Sequence, residues 1–334
     1  MKIKTFLIIF LFSMIIISCK NDPENKNSAV LPADPTLEQI NSLLKKNPDD
    51  INLLRERAKY LYDNDKLDEA IKDMKKVIEK DSLNPQNYHL LADIYLDNAQ
   101  SRYSIRTMEK VISLYPERIP SLLKLSEIYF IVKQYDKSIA TINTILYFSP
   151  NNSEAYFMLG VNFKELKQMS KAKNSFLTAV ENDPEHIDAW LELGQIAEEQ
   201  NDTMALTYYN NAVLIDSSNI EAFHHLAYYY QNHNDTEKAL KIYRKIIGLN
   251  PGYNSAYFNT GIIYLKEDSL KQAFDNFNIM VNIDKTNPKA YYFRGLVHYL
   301  NHENNKAKAD FEQALKIYPE YTEAKDMLQK IEVN

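Results

Sequence analysis

The chain holds a single cysteine, Cys19, among its 334 residues, so no disulfide can close within it. Glycine is scarce at six residues, which disfavours architectures built on glycine-rich turns, such as a sandwich or a Rossmann sheet. Positive charge is not in excess: 39 Lys and Arg stand against 45 Asp and Glu, a formal net of −6. That balance leaves no electrostatic footprint for nucleic acid. A phosphate-binding P-loop, a G-x-S-x-G elbow, an H-E-x-x-H helix and a C-x-x-C pair are all missing. Adjacent His224 and His225 point about 100° apart on a helix and cannot share one metal. His298 and His302 lack a third ligand at fixed spacing. The expectation is a binding protein rather than an enzyme, with no cofactor and no metal.

What the chain does have is a spacing that recurs every 34 residues, eight times over. The eighth position of each unit holds Ala58, Ala92, Ser126, Gly160, Gly194, Ala227, Gly261 and Gly295. The twentieth holds Ala70, Ser104, Ser138, Ala172, Ala205, Ala239, Ala273 and Ala307. All sixteen are small, as two closely crossing helices require. Large residues recur beside them. The fourth position carries Leu54, Tyr88, Leu122, Tyr156, Trp190, Phe223, Tyr257 and Tyr291. The twenty-fourth carries Met74, Met108, Ile142, Phe176, Tyr209, Tyr243, Phe277 and Phe311. Prolines 116, 150, 184, 251 and 319 fall where one helix must stop before the next begins. Fixed self-similarity of this length describes a solenoid whose units bury apolar faces only against their neighbours.

This pattern resembles the tetratricopeptide repeat. The resemblance implies an all-α, right-handed superhelical solenoid of antiparallel helix pairs, with eight repeats over 51–321 plus flanking helices. Seven repeats are 34 residues long. The fifth, 187–219, is one shorter, and the loss falls in the helix-helix turn around Asn201 and Asp202. Arg57, Thr260 and Arg294 replace Leu at the seventh position, so the first and last repeats read as loose matches. Residues 36–48 read as the second half of an incomplete repeat, and 322–334 as a C-terminal capping helix.

The N-terminus carries a second signal. Lys2 and Lys4 precede Phe6–Ile17, an apolar run too short to span a bilayer comfortably, and Ile16-Ile17-Ser18-Cys19 follows. The run resembles a bacterial lipobox, which implies removal of 1–18 and lipidation of Cys19. An ordinary signal peptide cut elsewhere, or a plain N-terminal anchor, is the alternative. Removing 1–18 takes two of the basic residues and none of the acidic ones, moving the net charge to −8. Several acyl chains on one cysteine would hold stably where one would not. By the same resemblance, Lys20 rather than aspartate leans toward the outer membrane, facing the periplasm or the cell surface. Residues 19–35, with prolines 23, 32 and 35, form a tether of roughly 20–25 Å.

If the family geometry holds, positions 2, 5, 9 and 12 of the first helices line a concave groove. Repeat one offers Arg55 and Lys59 there; repeat five offers Asp188, Leu191, Gln195 and Glu198; repeat six offers Glu221, His224, Tyr228 and Gln231. Repeats seven and eight turn apolar, with Phe258, Ile262 and Leu265, then Tyr292, Leu296 and Tyr299. An apolar patch of that extent marks a partner surface; the alternative is that 322–332 folds over it, or that it self-associates. The expected role is a lipid-anchored cell-envelope scaffold that binds other envelope proteins or peptide segments. The alternative is a chaperone-like receptor for secreted or outer-membrane proteins.

Overall fold

The computed structural model describes residues 36–333; the leader, Cys19 and the tether lie outside them. The described residues form eighteen α-helices and no strands, in two compact units divided between Leu114 and Tyr115. The N-terminal unit contains α1 (Leu37–Lys46), α2 (Ile51–Asp63), α3 (Leu67–Lys80), α4 (Pro85–Asp97) and α5 (Ser101–Leu114). The C-terminal unit opens with α6 (Ile119–Ile131), α7 (Tyr135–Phe148), α8 (Ser153–Glu165) and α9 (Met169–Asn182). It continues through α10 (Ile187–Glu199), α11 (Ala205–Ile215), α12 (Ile220–Asn232) and α13 (Thr236–Leu249). It ends with α14 (Asn254–Lys266), α15 (Leu270–Ile283), α16 (Pro288–Leu300), α17 (Asn304–Ile317) and α18 (Thr322–Val333). Among the described residues, no helix is long and apolar enough to cross a membrane.

Local chemistry starts and stops each helix. The residue before most first helices is Asp or Asn (Asp50, Asn84, Asn152, Asn219 and Asn287), and its side-chain oxygen accepts from an amide of the first turn. At α1, Thr36 and Gln39 form a reciprocal capping box. The fifteenth position of every repeat is left-handed, from Asp65 to His302, with φ of 54–60° and never a glycine. That residue closes the first helix and turns the chain into the second. Between repeats, Asp183, Asp216 and Asp284 accept from amides two residues on, and so build the turns that link one helix pair to the next.

Every small residue at the eighth and twentieth positions is buried, as is every large one at the twenty-fourth. A Cβ added at Gly194 would lie 2.3 Å from the Tyr209 ring, and one at Gly160 2.4 Å from Phe176. Where serine stands at the twentieth position, its hydroxyl is satisfied across the pair: Ser104 donates to the Ala92 carbonyl at 2.7 Å and Ser138 to Ser126 at 2.9 Å. The cost of a buried hydroxyl is thereby removed.

Two sequence expectations change. In repeat five the turn itself is intact, with Asn201 left-handed like its counterparts. The missing residue is lost instead from the start of the second helix, which begins late, at Ala205, and runs for 11 residues rather than 14. The first and last repeats are not loose. Arg57 donates to both carboxylate oxygens of buried Asp73 and, through Nη1, to Asn41 on α1 at 2.9 Å. Arg294 makes the same three bonds to Asp310 and to Asn278 on α15. An arginine replaces a core leucine only where a carboxylate and an amide are placed to meet its fork.

Candidate binding face

Within the C-terminal unit, first helices of neighbouring repeats meet directly, α6 with α8, α10 with α12 and α12 with α14, more closely than the second helices do. The first helices therefore occupy the inner face of that unit. Tyr228 is the most open of the predicted residues there, at 46% exposed. Phe258 is half-buried, 5.1 Å edge-on to Phe293, with the Lys289 ammonium 3.6 Å from its ring centre. Ile262 and Leu265 are half-buried against the Phe277 and Met280 cluster.

Tyr292, Leu296 and Tyr299 join a different cluster, which α18 completes through Ala324 and Met327. Tyr292 lies 5.7 Å from Phe311 and 5.1 Å from Tyr321. The end of the apolar patch is thus partly claimed by the terminal helix. His224 bridges repeats: Nδ1 sits 3.0 Å from the Tyr253 hydroxyl and Nε2 3.0 Å from the Asn259 amide nitrogen. Burial holds its pKa below the usual imidazole range. Leu191, expected in the groove, is buried in the core.

Polar members of this face are mostly joined to one another. Lys164 on α8 pairs with Glu192 on α10. Glu198 accepts from Tyr209 at 2.9 Å and from Asn232 at 3.0 Å. The basic pair predicted in repeat one lies in the N-terminal unit and is separate from this set. Arg55 is spent between repeats, donating to Asn87 at 3.0 Å and to Asn52 at 3.1 Å. Lys59 is exposed and, among the described residues, pairs only with Glu56, at 3.5 Å. Sequence reasoning missed Glu154 and the buried His186 beside it; the signal available was a carboxylate at position 2 in three consecutive repeats.

Sequence models of the tetratricopeptide repeat match residues 220–253 and 288–321. The chain carries tetratricopeptide repeats. A FAT-domain model also matches, over 33–204, just over half of the chain. The small-against-large register of the tetratricopeptide repeats runs unchanged through that span, so the helix pairs under the FAT match are built on the same register as those at 220–253 and 288–321.

Curated relatives match over short stretches. Photosystem I assembly protein Ycf3 of Prochlorococcus marinus (strain NATL1A) is 31% identical over 87 residues, a quarter of this chain and half of that one. Serine/threonine-protein phosphatase 5 of Mus musculus is 30% identical over 96 residues, covering 29% of this chain and 19% of that protein. The chain spans from a tenth to a half of the length of such relatives. Among solved structures, the APC/C hetero-tetramer Cut9-Hcn1 aligns with a TM-score of 0.53 at 16% identity, over 88% of this chain and 58% of that one. PilF of Pseudomonas aeruginosa aligns with the same score and identity, over 63% of this chain and 96% of that one. At this identity the likeness is one of fold. Repeats of this family make a scaffold for protein-protein contacts, and that is the coarse role of this chain.

Proposed function

We propose that the protein is a lipid-anchored scaffold of the bacterial cell envelope, held in the outer membrane through Cys19, that recruits envelope proteins to the inner face of its C-terminal unit. The observation that carries the binding role is the set Tyr228, Phe258, Ile262 and Leu265. These apolar side chains stay open or half-open on that face, although repeat packing is already complete at positions 8, 20 and 24. A face of this kind suits an extended or helical segment anchored by aromatics. The anchor rests on the basic start, the apolar run ending at the only cysteine, and the tether of 19–35. No catalytic role is assigned.

In-cell photo-crosslinking from Tyr228 and Phe258, with exposed Lys241 on α13 as control, tests the reading. One or two partners captured from the face and not from Lys241 are expected. A smear of many envelope proteins would favour the chaperone-like receptor, and capture of the chain alone would make the face a self-association surface. Fractionation of Cys19→Ser tests the anchor: release from the membrane fraction is expected, and full retention would remove lipidation from the account.

A further inference from the structure

Three carboxylates occupy the second position of successive repeats on the inner face: Glu154 on α8, Asp188 on α10 and Glu221 on α12. Asp188 and Glu221 make neither hydrogen bond nor ion pair among the described residues. Two carboxylates further along α10 are satisfied, Glu192 by Lys164 and Glu198 by Tyr209. Burial pushes the Asp188 carboxyl above the usual range, with Glu154 adding to the push and His186 opposing it. Burial, then Asp188 and Glu192, raise Glu221 in the same way. These mutual effects place the carboxylates within each other's fields.

A second, independent feature lies at the same corner. His186 caps α10, its Nδ1 accepting from the Ala189 amide at 3.4 Å, so the proton of the neutral ring sits on Nε2. That Nε2 is buried with no hydrogen-bond partner, in a side chain only 9% exposed, and faces Glu154 Oε2 at 3.5 Å. A buried donor aimed at a carboxylate it does not reach, beside two carboxylates without partners, describes a site whose charges are placed but not yet joined. No group of three His, Cys, Asp or Glu among the described residues is arranged to hold a metal ion. Carboxylates strung along successive helices match cations strung along a chain instead.

We propose that Glu154, Asp188 and Glu221 form a ladder for the lysine or arginine side chains of an extended partner segment. The inference rests on the reading of this face as the partner surface and names the chemistry of what binds there. Charge complementarity is its basis: among the described residues Asp188 and Glu221 have no hydrogen bond or ion pair and Glu154 faces only the His186 ring, so an incoming guanidinium or ammonium finds partly desolvated acceptors.

The test uses the full chain in detergent and a fluorescein-labelled peptide of alternating Arg and Ala, followed by anisotropy. Matched Glu-Ala and Ser-Ala peptides and free spermidine serve as comparisons. Tight binding of the Arg-Ala peptide alone is expected, weakened about tenfold or more in Asp188→Asn/Glu221→Gln and unchanged in Glu181→Gln on the exposed side of α9. The His186 Nε2 proton resonance should move on binding, which diffuse attraction to an acidic protein would not cause. Equal binding by the double variant, equal binding of the Ser-Ala peptide, or spermidine binding as tightly as the peptide would each overturn the ladder. If Tyr228 still captures its partner in cells carrying the double variant, the face reading stands and only the ladder fails. If wild-type Tyr228 captures nothing, the face reading itself has failed.

Discussion

Arg294 grips Asp310 from two sides, Nε donating to Oδ2 at 2.9 Å and Nη2 to Oδ1 at 2.6 Å. The carboxylate is nearly buried, so removing it strands a cation in the core. Asp310→Ala is expected to cost about 3–5 kcal/mol. Replacing both partners with the pair that repeat four carries at these positions, Leu159 and Ser175, leaves no charge behind. Arg294→Leu/Asp310→Ser should therefore recover most of the loss. Urea unfolding of the single and double variants measures both; a double variant as weak as the single would refute the charge argument.

The small positions differ in how much room they have. Gly194→Ala and Gly160→Ala force a methyl into an aromatic ring and should lose about 1–3 kcal/mol each. Gly248, near the end of α13, has nothing within 4 Å of an added Cβ. Gly248→Ala should instead gain about 0.5–1 kcal/mol by removing glycine's backbone entropy from a helix. Thermal melts of the three variants should split in sign.

The left-handed turn of repeat three is made by Lys133, with φ of 59°. A side chain in that conformation is strained by about 1–2 kcal/mol. Lys133→Gly should remove the strain and give back part of the gain as unfolded-chain entropy, for a net of about 0.5–1 kcal/mol in stability. A lower melting temperature would show that the turn gains more from the lysine than the backbone loses.

His225 stacks on Tyr209 at 5.6 Å. Burial, reinforced by His224, brings its pKa down to about 4, with Glu198 pulling weakly the other way. The unfolded chain takes up a proton near pH 6.5 and the folded one does not. Stability should therefore be level above pH 7 and fall as pH drops from 6.5 toward 4, by about 2 kcal/mol at pH 5 from this residue. Urea unfolding at pH 7.5, 6 and 5 should show the slope, and His225→Gln should flatten it.

Packing positions were legible in the sequence because each is fixed by one local requirement, small against large, repeated eight times. The arginine clamps were not, because their members sit sixteen residues apart and one comes from the preceding helix pair. A trace was present: Asn41, Arg57 and Asp73 recur as Asn278, Arg294 and Asp310 at a constant offset of 237 residues. The turns were hidden for a different reason. Position fifteen is held left-handed by the packing of two helices rather than by glycine, so Ala99, Lys133 and Lys167 give no outward sign of it. On the binding face, charge could be counted from the sequence, but not which carboxylates find partners, since that depends on where Lys164 and Tyr209 reach.

Closer contact among the first helices than among the second gives the C-terminal unit the mechanics of a leaf spring. Bending that opens its outer side separates few atoms, while flattening its inner side must prise packed helices apart. Each helix keeps its own backbone hydrogen bonds throughout, so the unit tightens its radius more readily than it widens it, without unfolding any turn. Compliance of that kind is one-sided: the inner face closes on itself more easily than it opens.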